Sequence, residues 1–521
     1  MARYKEYNYS QGKFISVFFD KQILPGTFEF TLNHVIDEEI DLSIFEGRYK
    51  NDETGAPAYD PSILLKIILY AYSRGITKSR DIAQCCEENI VFMALSADTR
   101  PHFTTIAKFV ASLNREILQL FVEVLMVCDA MGIIGKEMFA IDGCKMPSNA
   151  SKEWSGTKEE LKHKKEKMEK AVRQMIQRHQ QMDSSEISEE KKEQEKQQIE
   201  TLKRKARKIH EWLKENEDKP GKRGTPIKSN ITDNDSAKMK TSHGVIQGYN
   251  GVTVVDDKHQ IIVHAEAFGA SQEHDLLEPM LKGTEGNFQQ LGEEGILEKV
   301  KVTADSGYHS EANMKMVMTE GIDAYIPDPN FRKRDPRFAN VDKHKERFRK
   351  DLREYNKKHK APSDDLFKPN RDFTMSEDQR YCVCPAGRRL YRNGGNVVVR
   401  GQRAIKFRGA KRDCRICELR QKCLRCPERS EVRQVYFFQG SAGNKPETFA
   451  AKMRRKIDTI TGRLTYSRRL AIAEPPFAHI RSILRLDRFS LRGKRKVNTQ
   501  WLLYCMVHNL TKVHRYGCNY A

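Results

Sequence analysis

The sequence predicts an α/β chain with an all-helical N-terminal part. Between residues 136 and 330 short apolar runs of strand length alternate with helical stretches, residues 60 to 130 show helical periodicity alone, and a long Lys/Glu-rich amphipathic segment interrupts the strand series. At about 150 residues per domain, the 521-residue chain has room for three or four units, each with its own core.

The helical part opens with an apolar stripe from Ile63 through Ala71 and continues over Ser79 to Asn89. A third segment is opened by Thr104 or Thr105 ahead of Ile106, Phe109 and Leu113. The second and third segments, with Phe92 to Phe103 between them, allow a helix-turn-helix variant that puts one helix in a major groove, and equally a plain packed bundle. Met138 to Asp142 is the first strand signal. From Glu159 to Glu217 the chain is rich in Lys, Glu and Gln, and Ile199, Leu202, Ala206, Ile209 and Leu213 step by 3, 4, 3 and 4. That seam is of coiled-coil type, and the break from Asp183 to Ser185 folds two helices into a hairpin that Gly221 to Gly224 close. Its charges are nearly balanced, which favours a spacer or a protein contact over DNA. Val245 to Val255 and Gln260 to Ala267 then make a hairpin about Asp256 to His259. A helix around Leu276 to Leu281, a strand Val300 to Asp305, a helix Glu311 to Met318 and a strand Ala324 to Pro327 complete the order. The order resembles a ribonuclease H-like core with the helical hairpin spliced between its first and second strands.

Charged residues make up 31% of the chain, the apolar types only 38%, and the formal net charge is +21, a field that attracts polyanions. The excess is uneven. Residues 330–360 carry thirteen Lys or Arg against five Asp or Glu, and 382–429 and 452–496 each carry fourteen against three. These windows sum to +30, so the remainder is net acidic and the basic surface belongs to the C-terminal part. Solvated helix faces usually interleave acids, as residues 158 to 218 do, so phosphate is the expected partner of the C-terminal cations. The longest apolar stretches, Ser62 to Tyr72 and Leu118 to Ile134, are interrupted by Lys66 and by Glu123 and Asp129, and neither reaches bilayer-spanning length. The start, MARYKEYNYS, lacks the apolar core of a secretory signal. With twelve cysteines and no export signal, the expectation is a reducing, cytoplasmic setting with no membrane contact.

Six of the cysteines cluster: Cys382 and Cys384 in YCVCPAGRRL, and Cys414, Cys417, Cys423 and Cys426 in CRICELRQKCLRC. Cys-x-x-Cys closes a tight knuckle, and a structural zinc needs four soft ligands in tetrahedral array. A knuckle without metal and redox-active thiols are the other readings.

Asp142 in FAIDGCKM and Asp305 in KVTADSGYHS each end a hydrophobic run. Two carboxylates at neighbouring strand ends repel unless a cation lies between them, and hard oxygen donors suit Mg2+ or Mn2+. Taken singly, a strand-end Asp is more often a turn former or a helix cap. Two in this order, with a basic C-terminal part, favour a metal site. Asp233 and Asp235 in TDNDSAKM read equally as loop residues, and His243, His274 and His309 as structural or solvent-facing.

With these residues in view the chain resembles the DDE transposases of bacterial insertion sequences, in particular those with a Cys-rich insertion before the last catalytic helix. The resemblance spans most of the chain: YAYSRGITKSRDIAQCCEENIVFMALS, HFTTIAKF, AIDGCKM, SNITDNDSAKM, QGYNGVTVVDD, TADSGYHS and YSRRLAIAEPPFAHIRSILRLDRFSLRGKRKV. The last segment is similar to the family's Tyr-Arg-Glu-Lys helix, through Tyr466, Arg469, Glu474 and Arg481. Four residues separate Arg469 from Glu474 where three are common, and position 481 is Arg where Lys is usual. Pro475 and Pro476 directly after Glu474 predict a helix start or a kink there.

The resemblance implies that Asp142, Asp305 and Glu474 are catalytic and hold two Mg2+ or Mn2+ ions, with Glu311 a poorer third ligand that more simply caps a helix start. It implies DNA contacts by Tyr466, Arg469, Arg481, Arg488, Arg492 and Lys494, and a zinc set of Cys384, Cys414, Cys417 and Cys423 with Cys382 and Cys426 as alternates. The expected organisation is an N-terminal helical DNA-binding domain (1–135), a ribonuclease H-like core (136–150 and 229–330), the helical-hairpin insert (151–228), a basic linker (331–376), a zinc-ribbon-like Cys-rich insert (377–430), and a basic C-terminal part with the last catalytic helix (431–521). The implied activity is metal-dependent cleavage at insertion-sequence ends followed by 3'-OH strand transfer into target DNA, by a homodimer that joins two terminal inverted repeats. The rivals are a catalytically inactive DNA-binding regulator and a metal-dependent nuclease without strand transfer.

Overall fold

A computed structural model describes residues 10, 16–48, 57–113, 115–181, 189–221, 224–242, 244–335, 366–394, 397–399, 402–438 and 447–517. The greater part of the basic segment 330–360, the break from Asp183 to Ser185, and His243 lie outside the described residues. Two compact units form, one of Met1–Arg332 with Thr448–Ala521 and one of Lys333–Glu447.

The first unit begins with α1 (Phe28–His34), α2 (Pro61–Ser73), α3 (Ser79–Glu88), α4 (Ile90–Leu95), α5 (Phe103–Ser112) and α6 (Glu116–Ala130). Helix α2 starts with Pro61 in its first turn, where the missing N–H costs nothing, and the Asp60 carboxylate accepts from the Ser62 N–H at 2.8 Å. Every residue from Leu64 to Tyr72 is buried. Lys66 is tolerated among them because its ammonium reaches Asp37 at 2.7 Å. Helix α5 opens at Phe103 behind a His102 cap, one residue ahead of the expected Thr104, and α4 fills the interval that the sequence left as a possible turn. A helix-turn-helix reading must therefore accommodate an extra helix between its two members.

The core sheet is built from β1 (Met138–Pro147), β2 (Ala237–Thr241), β3 (Gly244–Asp256), β4 (Ile262–Phe268), β5 (Lys301–Ala304) and β6 (Asp323–Tyr325). Its main path runs β4-β3-β1-β5-β6, with β3 antiparallel to both β4 and β1 and with β1, β5 and β6 mutually parallel. Strand β2 also pairs with β3; the sequence left it as loop, since AKMKT is too polar and too short to stand out. This mixed sheet with its N-terminal helices is consistent with a ribonuclease H-like core. Between β1 and β2 stand the long helices α7 (Lys158–Gln181) and α8 (Glu189–Glu215), and Leu161, Ile209, Trp212 and Ile231 make a small separate core at their base.

Helices α9 (Leu277–Gln290), α10 (Ile296–Lys299) and α11 (Glu311–Thr319) connect the later strands, and α12 (Phe449–Asp458), α13 (Ile460–Ser467), α14 (Arg469–Ala478) and α15 (Lys494–Tyr516) close the unit. Helix α15 is the central pillar: the Trp501 indole is fully buried and donates to the Val252 carbonyl at 3.2 Å. The indole lies so close to β3 that a Cβ on Gly251 would stand 3.0 Å from it, which explains glycine there. Among the described residues no helix is long and apolar enough to cross a membrane.

Of the two expectations for Pro475 and Pro476, a helix start is not met: α14 runs through both, and a π-helical turn, His479–Ile483, follows. Pro475 frees the carbonyl of Ala471 four residues back, and the Gln260 side-chain amide donates to that oxygen at 3.2 Å. A partner from the β3–β4 turn thus keeps a proline-bearing helix intact, which no local signal foretells.

The second unit has a six-stranded antiparallel sheet of β7 (Thr374–Met375), β8 (Tyr381–Val383), β9 (Arg389–Arg392), β10 (Val397–Val399), β11 (Gln402–Gly409) and β12 (Gln434–Phe438). Phe373, Cys382, Leu390, Ile405, Phe407 and Val435 form its core.

Candidate active site

Asp142 lies midway along β1, and Asp305 is the first residue beyond β5. These strands are parallel neighbours and Ile141 pairs with Ala304, so the two aspartates occupy the next position in register, about 4.8 Å apart in backbone terms. Apolar runs bury the strands and carry the carboxylates to one edge of the sheet. Burial pushes the Asp142 carboxyl above its ordinary range, against the pull of Arg469 and a hydrogen bond from the Gly143 N–H at 2.8 Å.

The compensating charge comes from α14. The Arg469 Nη1 stands 2.8 Å from Asp142 Oδ2 and its Nη2 stands 3.6 Å from Asp305 Oδ1, while the side chain is only 8% exposed. Burial works against this guanidinium, and Asp142, Tyr466 and Asp305 together outweigh it, so it stays charged. Tyr466, at the end of α13, is buried edge-on against Phe331, and its hydroxyl donates to Asp305 Oδ1 at 3.5 Å. Tyr308, which directly follows the Asp305 turn, is fully buried, and its hydroxyl lacks a partner among the described residues. Burial drives its pKa up, and Glu273, Asp142 and Asp305 add to that. Glu273 pairs with Lys145 of β1 at 3.2 Å. Of these three residues, none singled out by the sequence, Lys145 and Tyr308 lie within the two aspartate motifs, whereas Glu273 lies in GASQEHDLL, 32 residues before Asp305, and carries no local signal.

The remaining sequence-derived residues divide. Glu474 is exposed on α14. With four residues between them, Arg469 and Glu474 project about 140° apart around a helix of 3.6 residues per turn, so the helix that aims one at Asp142 turns the other away. Among the described residues no group of three or more His, Cys, Asp or Glu side chains is arranged to hold a metal ion. Arg481, in the π-turn, lies against Cys144, two residues along β1 from Asp142; burial raises that thiol and Arg481 opposes the rise. Arg488 and Arg492 are exposed. Lys494 pairs with Glu266 at 2.8 Å.

Other carboxylates have structural partners. Glu311 accepts from the N–H groups of Phe449 and Ala450 at 2.9 and 3.0 Å, and so caps α12 rather than its own helix. Asp233 and Asp235 cap α15: Asp233 accepts from the Gly493 N–H at 3.2 Å and from the Tyr249 hydroxyl at 2.7 Å, and Asp235 accepts from the Lys494 N–H at 2.9 Å.

In the second unit Cys384, Cys414, Cys417 and Cys423 line one cavity of about 30 Å³. Burial pushes the Cys423 thiol up to about 11, with Arg433 acting the other way and the other three cysteines adding to the rise. Cys382 is buried in the unit's apolar core and Cys426 is exposed.

Residues 383–514 match the family described as Transposase DDE domain, and residues 17–112 match the family described as Transposase domain (DUF772). No curated protein matches the chain.

Proposed function

We propose that this chain, whose two family matches agree with a DDE transposase of insertion-sequence type, cleaves DNA at its element's ends and joins the freed 3'-OH to target DNA. The observation that carries the reading is the pair Asp142 and Asp305 on adjacent parallel strands, held together by a buried arginine from a helix that also bears Glu474.

The donor set fits a hard divalent cation: both side chains offer carboxylate oxygens, and their closeness already demands positive charge, which Arg469 supplies. Asp142 and Asp305 would hold the metal, and we assign Glu474 as the third donor on the helix-signature resemblance alone, a role that requires α14 to turn this exposed carboxylate toward the pair. Divalent ions held there would supply Lewis-acid activation of the attacking oxygen and stabilisation of the leaving one. The chain's own residues do the rest. Arg469 and the Tyr466 hydroxyl fix the carboxylate oxygens, the buried β1 and β5 keep bulk water from the inner side of the site, and exposed Arg488 and Arg492, neither of them paired with an acid among the described residues, would take DNA phosphates. Two copies on paired ends complete the reading, and sedimentation showing one protomer per end-DNA complex at every ratio would rule that part out.

The chemistry is tested by incubating the full chain with Mg2+ and the terminal-repeat DNA that flanks its reading frame. Cutting followed by joining is expected, and Asp142→Asn should abolish both while leaving binding. Cutting alone would mean a nuclease, and binding alone a regulator without catalysis; either outcome removes the proposal.

For the second unit we propose that a structural zinc would draw together Cys384, Cys414, Cys417 and Cys423, which line one cavity but are not arranged as a ligand set without the ion. Their place around one small cavity, with Cys382 in the core and Cys426 outside, supports this set over its alternates.

A further inference from the structure

We infer that a groove beside the end of β1 seats the phosphate backbone of duplex DNA flanking the carboxylate site, and that the helical insert forms one wall of it. The inference rests on the DNA-processing reading above and adds a surface and a role for the insert.

The groove has a volume of about 570 Å³ and is lined by Pro147 to Lys152 and Trp154, with the exposed Glu153 between them outside the lining, by Lys208 of α8, by the start of β3 and by the segment leading into α15. Four cations project into it: Lys152, Lys208, Arg488 and Arg492. All four are exposed, and no carboxylate is among the lining residues. Elsewhere on this unit exposed cations find acids readily, as Lys228 does with Glu160 at 2.6 Å and Arg468 with Asp257 at 2.6 Å. Within the groove the hydrogen bonds go to neutral oxygens. Arg492 Nε donates to the Asn149 carbonyl at 2.8 Å, Lys208 reaches the Thr232 hydroxyl at 3.4 Å, and the Asn149 amide donates to the Ser490 carbonyl at 3.0 Å, so the two walls are tied without spending charge. Trp154 forms part of the floor, with the Lys164 and Lys208 ammonium groups 5.3 and 5.8 Å from its ring centroid.

Four cations from three separate parts of the chain, with no acid among them, complement a linear polyanion. Position selects which one. Pro147 is five residues along β1 from Asp142, roughly 16 Å at about 3.3 Å per residue. A DNA strand places one phosphate per about 3.4 Å of helix axis, so the groove lies about five phosphates from the carboxylates, on the flank of DNA presented to them. Lys208 sits near the base of α8, in an insert whose balanced composition pointed to a spacer; one lysine at its root brings the insert into the DNA path.

The test measures anisotropy of a fluorescein-labelled 30-base-pair duplex of random sequence with the full chain, without divalent metal, across a NaCl series. Each lost phosphate contact lowers the slope of log affinity against log salt by about 0.9, so Lys152→Gln with Lys208→Gln should lower it by about 1.8. The control Lys196→Gln with Lys203→Gln, equal in charge and outside the groove, should leave the slope alone. Equal slopes in all three proteins, or equal losses in both double variants, would overturn the inference. A second readout needs no variant: Trp212 and Trp501 are buried and Trp154 is half-buried, so acrylamide quenching reports chiefly on Trp154, and duplex should protect it. Absent protection, or protection by poly-glutamate but not by duplex, would also overturn it. Failure here is separable from failure of the chemistry: metal-dependent cutting with an unchanged slope removes the groove alone, and a lowered slope without cutting removes the transfer reaction alone.

Discussion

Arg469 Nη1 lies 2.8 Å from Oδ2 of Asp142, and the two side chains are only 8% and 22% exposed. One partner of such a pair cannot be removed without stranding the other away from water. Arg469→Ala should therefore cost about 3 kcal/mol in urea unfolding, at the low end for breaking a buried pair, and adding Asp142→Asn should recover most of it. Purely additive losses in the double variant would show that the two charges do not depend on each other. If these carboxylates also hold Mg2+, the ion should raise the Tm of the Arg469→Ala protein more than that of the wild type, because it replaces the missing cation.

Glu474 and Glu311 make a contrasting pair. Glu311 is spent on the N–H groups of Phe449 and Ala450, so Glu311→Gln should cost about 1 kcal/mol of stability and leave metal-dependent cutting intact. Glu474 is exposed and caps nothing among the described residues, so Glu474→Gln should leave stability within about 0.5 kcal/mol. Its assigned role predicts a loss of cutting of about 100-fold or more. The reverse pattern would hand the third-ligand role to Glu311.

The cysteine cavity yields a stoichiometry. Metal analysis of the purified chain should find one zinc per protomer, and Cys417→Ser should lose it, since three thiolates leave a tetrahedral site open. Cys426→Ser, at an exposed position outside the cavity, should keep it. Retention of zinc by both variants would place the metal elsewhere.

How much of this was legible beforehand differs between its parts. The strands that carry Asp142 and Asp305 were visible because apolar runs ending in an acid are a local signal, and their pairing followed from the α/β order. Arg469 stood out through the helix signature, but as a DNA contact; its burial between two carboxylates depends on where α14 lands, which neither composition nor the signature encodes. The prolines were half legible for a related reason: local rules start or kink a helix at Pro475, and a glutamine more than two hundred positions away takes up the carbonyl that lets α14 run through. Asp233 and Asp235 were equally opaque, since their partners are the first N–H groups of a helix that begins at Lys494.

The histidine pair His479 and His508 gives the fold a pH dependence whose sign can be worked out. Their Nδ1 atoms are 3.0 Å apart, and His508 Nε2 lies 2.9 Å from the Gln260 carbonyl, which accepts a proton and offers none. His508 therefore carries its proton on Nε2 and accepts at Nδ1 from His479, a network that a second proton would disrupt. Burial lowers His508 to about 3, with His479 and Lys512 adding to the fall and the Gln260 carbonyl opposing it; burial, Lys512 and Arg515 lower His479 to about 4. In the unfolded chain both rings titrate near 6.5. Between pH 6.5 and about 4 the unfolded state thus binds more protons than the folded one, so stability is full above pH 6.5 and drains as the pH falls through that window. For the fully buried His508 the loss from pH 7 to pH 5 comes to about 2 kcal/mol. Urea unfolding of wild type and His508→Asn at both pH values isolates it: the variant is weaker at pH 7, where it lacks the His479 bond, but should lose about 2 kcal/mol less on acidification. Parallel losses in the two proteins would mean that acid sensitivity arises elsewhere, with the half-buried His264, lowered to about 4 by desolvation, the next group to test.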